Sequence, residues 1–172
     1  MKYIKTLVMI LLLAFPLAVK PSSFSNNEQG NCSTHPYRWS CDKELRVLTE
    51  AIYFEARGEH WRGQEAIANV IINRTKSEYF PRTISAVVYQ NSNRLYSCQF
   101  SYMCDGKSET IRNLQAWNES VESATRVYYN IVDDHTDGAL FYNNPSISKS
   151  KAWFSTLKVT KKIGNHVFYT NA

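Results

Sequence analysis

From Asp42 onward the apolar positions fall three and four residues apart. Leu45, Leu48 and Ile52 make one stripe, with Val47 and Ala51 beside it, and this spacing predicts a helix running to about Arg57. Asp42 is a suitable N-cap and Gly58 a natural stop. A second helix is predicted from about Gly63 to Lys76, with Ala66, Ile67, Val70 and Ile71 inward, and Phe80-Pro81 ends that unit. Residues 83–90 read as a short helix from the spacing of Ile84, Val87 and Val88, and residues 91–116 read as loop. A third long helix is predicted from Trp117 to Asp133, on a stripe of Val121, Ala124, Val127, Tyr128 and Ile131. The C-terminal third changes character. Ala139–Tyr142, Leu157–Thr160 and His166–Tyr169 are short β-prone runs separated by turn residues. The expected fold class is α+β, mainly helical, with a small β element at one edge.

One position breaks the pattern. Positions 45, 48, 52 and 55 share a helix face, so Glu55 continues the stripe of Leu45, Leu48 and Ile52. Apolar surroundings disfavour the ionised carboxylate and raise its pKa. A glutamic acid that keeps its proton near neutrality is suited to act as general acid on a glycosidic bond. The alternative is structural: Arg57 or Arg74 could pair with Glu55 in a buried salt bridge. Glu59 lies one turn further on, beyond Gly58. It is a candidate second carboxylate of the pair used by many glycosidases, or else a solvated or capping residue.

The N-terminus adds a compartment. Lys2 and Lys5 precede an apolar run from Leu7 to Val19, and a polar stretch follows. That order describes a secretory signal, and the run falls short of the roughly 20 residues that span a bilayer. Residues 1–25 are therefore expected to be a signal peptide or an N-terminal anchor, and 26–41 a leader. Residues 42–172 would then be a single catalytic domain; about 145 residues beyond the signal suit one core. Hydrophobic residues make up 44% of the chain and aromatic residues 13%, enough to build that core.

All four cysteines, Cys32, Cys41, Cys98 and Cys104, lie beyond the signal. An even count in an exported chain favours disulfides over thiols. Four cysteines allow three pairings, of which the local one, Cys32–Cys41 with Cys98–Cys104, is preferred. The C-x8-C and C-x5-C spacings do not suit a zinc ribbon and the four histidines are scattered, so no metal site is expected. The net charge of +5 suits a polyanionic partner. No nucleic-acid-binding motif accompanies the dispersed basic residues, so an envelope or wall partner is expected and nucleic acid is not. A G-x-S-x-G elbow and a glycine-rich phosphate loop are both missing from the sequence.

The phrases YFEARGE (Tyr53–Glu59), GQEAIANVIINR (Gly63–Arg74), SCQFSYMCDG (Ser97–Gly106), DGALFYNNP (Asp137–Pro145) and KKIGNHVFY (Lys161–Tyr169) resemble the SleB-type cell wall hydrolase family, the spore cortex-lytic enzymes and their relatives. The resemblance runs from about Leu45 to Tyr169. It implies a lysozyme-like, lytic-transglycosylase-like catalytic domain acting on peptidoglycan glycan strands, with Glu55, before Ala-Arg-Gly, as the catalytic acid. The implied reaction needs no metal and no organic cofactor. The bond between N-acetylmuramic acid and N-acetylglucosamine is cleaved and a 1,6-anhydro end remains. The alternatives are a hydrolytic muramidase using Glu55 with Glu59 or Asp105, and a non-catalytic wall-binding or lysis-regulating protein.

Glu59 and other residues in these phrases are candidates for substrate binding. Gln99, Ser101 and Asp105 flank or lie within the cysteine-bracketed segment and are expected to hydrogen-bond sugar groups. Tyr102 would offer a stacking face, and Tyr142, His166 and Tyr169 the opposite wall. Asn143 departs from the family pattern, in which a histidine often follows the aromatic pair. The expected protein is a monomer that is exported to the periplasm, wall or exterior and meets membrane only through its N-terminal segment.

Overall fold

The computed structural model describes residues 42–95, 97–147 and 151–172, with nothing described of the Lys151 side chain. The expected signal, the leader and the Cys32–Cys41 pairing lie outside the described residues. Five helices and three strands follow in order: α1 (Lys43–Ala56), α2 (Trp61–Lys76), α3 (Ile84–Val88), α4 (Leu114–Tyr128), β1 (Phe141–Asn143), α5 (Lys151–Phe154), β2 (Lys158–Ile163) and β3 (His166–Thr170). A 3-10 turn spans Ser101–Cys104.

Helix α1 starts where the sequence places it. The Asp42 carboxylate accepts from the backbone N–H groups of Glu44 and Leu45 at 3.0 and 3.2 Å. Such a cap contributes about 1 kcal/mol. The helix ends at Ala56, and the Glu59 N–H closes the turn onto the Ala56 carbonyl at 2.9 Å. Leu45, Leu48 and Ile52 are essentially fully buried. Each such side chain contributes roughly 1.5–3 kcal/mol through burial. Their partners are Ile67, Val70 and Ile71 of α2, Val87 and Val88 of α3, and Ala124 and Val127 of α4, all in one cluster with Phe168 of β3.

Helix α4 departs from the expected bounds at both ends. It begins at Leu114 because Asn113 caps it, its side-chain oxygen accepting from the Ala116 N–H at 3.0 Å. It stops at Tyr128 rather than Asp133. Asn130 adopts a left-handed conformation (φ 53°), and the Ile131 N–H returns to the Arg126 carbonyl at 2.8 Å. Asparagine tolerates that geometry better than other non-glycine residues, and it ends helices for this reason. Ile131, expected on the inward stripe, is consequently exposed.

The strands form one antiparallel sheet in the order β1-β3-β2. Tyr142 pairs with Phe168, Phe141 with Tyr169, and Ile163 with His166, while a bulge interrupts β2 between Val159 and Lys161. Alternation puts Phe168, Tyr142 and His166 on the face that meets the helices. The edge strand β2 carries Lys158, Lys161 and Lys162, the kind of charged edge that resists pairing with another chain. The fold is therefore α+β and mainly helical with a small sheet. Among the described residues no helix is long and apolar enough to cross a membrane.

Candidate active site

The last turn of α1 carries Glu55 to the junction of α1, α2 and β1. Its side chain is mostly buried, with part of its surface open. The Tyr142 hydroxyl donates to Glu55 Oε2 at 3.2 Å. Among the described residues Glu55 makes no ion pair with Arg57 or Arg74. Burial pushes the Glu55 carboxyl above the ordinary value, against the opposing pull of the Tyr142 hydrogen bond and the Arg74 charge. The arrangement favours the protonated acid while leaving two groups that stabilise the carboxylate once the proton has gone.

Arg57 instead lies over the Tyr53 ring, its guanidinium carbon 5.3 Å from the centroid. The Tyr53 hydroxyl is itself an anchor, accepting from the backbone N–H groups of Arg112 and Asn113 at 3.2 and 3.1 Å. These bonds tie the start of α4 to the helix that bears Glu55.

Glu59 is committed elsewhere. Its carboxylate accepts from the Asn165 side-chain amide at 3.0 Å and from the Asn165 N–H at 3.4 Å, docking the α1–α2 turn on the β2–β3 turn. His166 Nδ1 lies 3.5 Å from the same carboxylate but makes no hydrogen bond to it. Burial lowers the His166 pKa despite the nearby Glu59 charge, which favours the neutral imidazole. Two glycines make room for this docking. A Cβ on Gly63 would come within 2.9 Å of Glu59 Cβ, and one on Gly164, which has φ 57°, would collide with Glu59 Oε2.

The remaining candidates divide. Tyr142 and His166 are neighbours, with ring centroids 5.6 Å apart, and together with Glu55 they form one constellation. Tyr102 is buried, its ring stacked on Phe54 at 4.7 Å between centroids, so it does not offer the free stacking face expected of it. Its hydroxyl is buried without a hydrogen-bond partner among the described residues, and burial holds the phenol above its ordinary pKa. Tyr169 is also buried, and its hydroxyl donates to Asn143 Oδ1 at 3.1 Å. Asn143 thus has a partner within the sheet. Cys98 and Cys104 are joined, closing the segment that carries Ser101 and Tyr102. Ser101 is exposed and Gln99 partly so. Asp105 accepts from the Lys107 N–H at 2.9 Å and pairs with Lys107 Nζ at 3.4 Å. The backbone bond comes first in holding that carboxyl below its usual range.

The buried role of Glu65 escaped the sequence reading, and Arg74, considered there only as an ion-pair partner of Glu55, has a different one. Glu65 is fully buried between Arg126 Nε and His135 Nε2, each at 2.7 Å. This triad fixes the loop before β1 against α2 and α4. Arg74 is also buried, and its Nε donates to the Leu140 carbonyl at 2.8 Å. The signal for Arg74 was present: it follows Ile67, Val70 and Ile71 at helical spacing, as Glu55 follows Ile52.

A mainly helical domain with a buried, tyrosine-held carboxylate at the mouth of a helix–sheet junction is the class these features define. Residues 58–169 match the Cell Wall Hydrolase family, and the chain belongs to that family. The matched span begins three residues after Glu55. Spore cortex-lytic enzymes of Bacillus cereus, Oceanobacillus iheyensis and Bacillus subtilis are 32%, 33% and 31% identical over 145, 127 and 150 residues. Those matches take in 83%, 73% and 86% of this chain but 50%, 41% and 39% of the relatives, so the chain spans half their length or less. Among solved structures, the fold matches the catalytic domain of the germination-specific lytic transglycosylase SleB from Bacillus anthracis. The TM-score is 0.57 and the identity 34%, over 74% of this chain and 93% of that one. The catalytic domain of Bacillus cereus SleB matches with a TM-score of 0.56 at 34% identity, over 74% and 89% of the two chains.

Proposed function

We propose that the protein is an exported peptidoglycan lytic transglycosylase, with residues 42–172 as its catalytic domain behind a signal (1–25) and a leader (26–41). Glu55 is the catalytic acid and base. The observation that carries this reading is the buried Glu55 carboxyl, held by the Tyr142 hydroxyl and free of any ion pair among the described residues. Membership of the Cell Wall Hydrolase family and the likeness to SleB catalytic domains support it.

In the proposed reaction the protonated Glu55 donates its proton to the oxygen linking N-acetylmuramic acid to N-acetylglucosamine. The C–O bond breaks, and the N-acetylglucosamine end leaves as an alcohol. The muramic C1, now oxocarbenium-like, is attacked by its own C6 hydroxyl. Glu55, as carboxylate, takes that hydroxyl proton, and the acid form is restored with a 1,6-anhydro end as product. Tyr142 holds the carboxyl in place through both proton transfers, since its hydrogen bond favours the charged form that follows the first. His166 packs against Tyr142 behind the carboxyl, and Gln99 and Ser101 of the cysteine-bracketed segment, with Asp105 just beyond it, supply the groups that bind sugar. No metal or organic cofactor has a part in these steps.

A hydrolytic muramidase would need a second carboxylate to activate water. The two candidates are engaged, Glu59 with Asn165 and Asp105 with Lys107, which favours the transglycosylase. Digestion of purified peptidoglycan followed by mass spectrometry of the fragments is the test. Ends lighter by one water than reducing muramic ends are expected. Reducing ends would assign water as the acceptor, and wall binding without any product would favour a non-catalytic role. The expected monomer is checked by sedimentation.

A further inference from the structure

We infer that Arg74 is a positioning residue of the reaction: a buried cation whose counter-charge is the Glu55 carboxylate, present only between the two proton transfers. The inference rests on the assignment of Glu55 as acid and base.

The starting point is an unusual burial. Arg74 is 3% exposed, on the inward face of α2. Its guanidinium carbon lies over two aromatic faces, 5.1 Å from the Phe80 centroid and 5.6 Å from that of Phe100. Its Nε donates to the Leu140 carbonyl, but Nη1 is fully buried and finds no hydrogen-bond partner among the described residues. Nor does any carboxylate pair with it among those residues. A buried cation without an ion pair is costly, and cation–π contacts offset only part of that cost. A methionine or leucine would fill the space between the rings without it.

The position of the cation supplies a reason for keeping it. Leu140 leads directly into β1, and two residues later the Tyr142 hydroxyl reaches Glu55. Arg74 therefore fixes the strand that delivers the tyrosine, and it brings a positive charge to the same junction. That charge acts on both partners of the hydrogen bond, favouring ionisation of Glu55 and of Tyr142. The groups facing Glu55 are Tyr142 from β1 and Arg74 from α2, with the Tyr102 phenol from the 3-10 turn coupled to Glu55 and to Tyr142. His166 packs on Tyr142 from β3, and burial there favours its neutral form. Arg74 is the only cation in this set. Burial alone would make Glu55 a reluctant acid. Arg74 lowers the cost of releasing the proton from a carboxyl that burial holds in its neutral form.

Three substitutions, read on peptidoglycan digestion, test this. Arg74→Met keeps the apolar stem between Phe80 and Phe100 and removes the charge and the Leu140 bond. Arg74→Lys keeps the charge and loses the planar stacking and the Nε bond. Glu55→Gln reports on the underlying reading. For Arg74→Met, kcat should fall roughly 10- to 100-fold with KM little changed. The basic limb of its pH–rate profile should move to higher pH, because the carboxylate has lost an opposite charge. Arg74→Lys should hold the basic limb at the parental pH even where its kcat is lower. Should Arg74→Met not fold, the limb position in Arg74→Lys, with its retained charge, still decides. A limb displaced in the Lys variant overturns the inference, as does a Met variant with parental kcat and profile while Glu55→Gln is inert. If Glu55→Gln itself cleaves at the parental rate, it is the assignment of Glu55 that fails.

Discussion

Replacing Glu55 with Gln separates a catalytic carboxyl from a structural one, because the two readings predict opposite changes in stability. In the folded protein the carboxyl is pushed above its ordinary value, chiefly by burial. Between the unfolded and folded values the unfolded chain has lost the proton while the folded chain retains it. The folded state then binds more protons, so stability falls as pH rises through that window and the full penalty remains above it. Glutamine carries no proton to lose and can still accept from Tyr142. What it forgoes is the charge-assisted part of that bond, about 1 kcal/mol, together with the attraction to Arg74. What it removes is the desolvation of an ion, several kcal/mol even after relaxation. The net expectation at pH 8 is a gain of about 1–2 kcal/mol, typical of replacing a strained functional group. That gain should vanish at pH values below the unfolded carboxyl range, where both proteins are neutral at this position. Activity should fall by about 10²–10⁴-fold or more. Urea unfolding at several pH values beside peptidoglycan digestion measures both. A loss of about 3–5 kcal/mol at pH 8 would mean that a buried ion pair had been broken, and would refute the reasoning.

Other consequences follow from the same geometry. Tyr142→Phe removes the hydrogen bond that favours the Glu55 carboxylate. It should lower kcat and move the basic limb of the pH–rate profile upward, with melting little affected; a limb moved downward would contradict the assigned donor. Gly164→Ala forces an alanine into a left-handed conformation and against Glu59 Oε2. The backbone strain and the weakened Asn165 bonds together should cost about 2–4 kcal/mol in chemical denaturation, and an unchanged midpoint would show that Glu59 does not hold the hairpin. Glu65→Ala leaves the Arg126 and His135 partners unmatched around a buried void. It should destabilise by about 3–5 kcal/mol in the same assay, and a loss under about 1 kcal/mol would mean the triad contributes no more than a surface pair.

Periodicity was sufficient for α1, α2 and α3. The stripes of α1, α2 and α3 are local, each is read from residues three and four apart, and Asp42 announces its helix through its own side chain. The same logic singled out Glu55, because a carboxylate on an apolar stripe is visible without knowing what lies opposite. Periodicity also carried the signal for Arg74, although an arginine at the end of a stripe passes easily for a residue whose head reaches solvent. Tertiary structure alone decided the partners. The hydroxyl that holds Glu55 comes from 87 residues away, and the amide that takes Glu59 from 106. No local rule predicts that Glu59 turns toward the β2–β3 turn, since the direction of a side chain beyond a helix end depends on what docks there. Tyr102 is the converse case. An aromatic residue in a loop suggests an exposed ring, but Tyr102 is buried and stacked on Phe54. The end of α4 was likewise hidden. The apolar pattern continues to Ile131, and only the left-handed Asn130, a choice of backbone rather than of periodicity, breaks the helix before it.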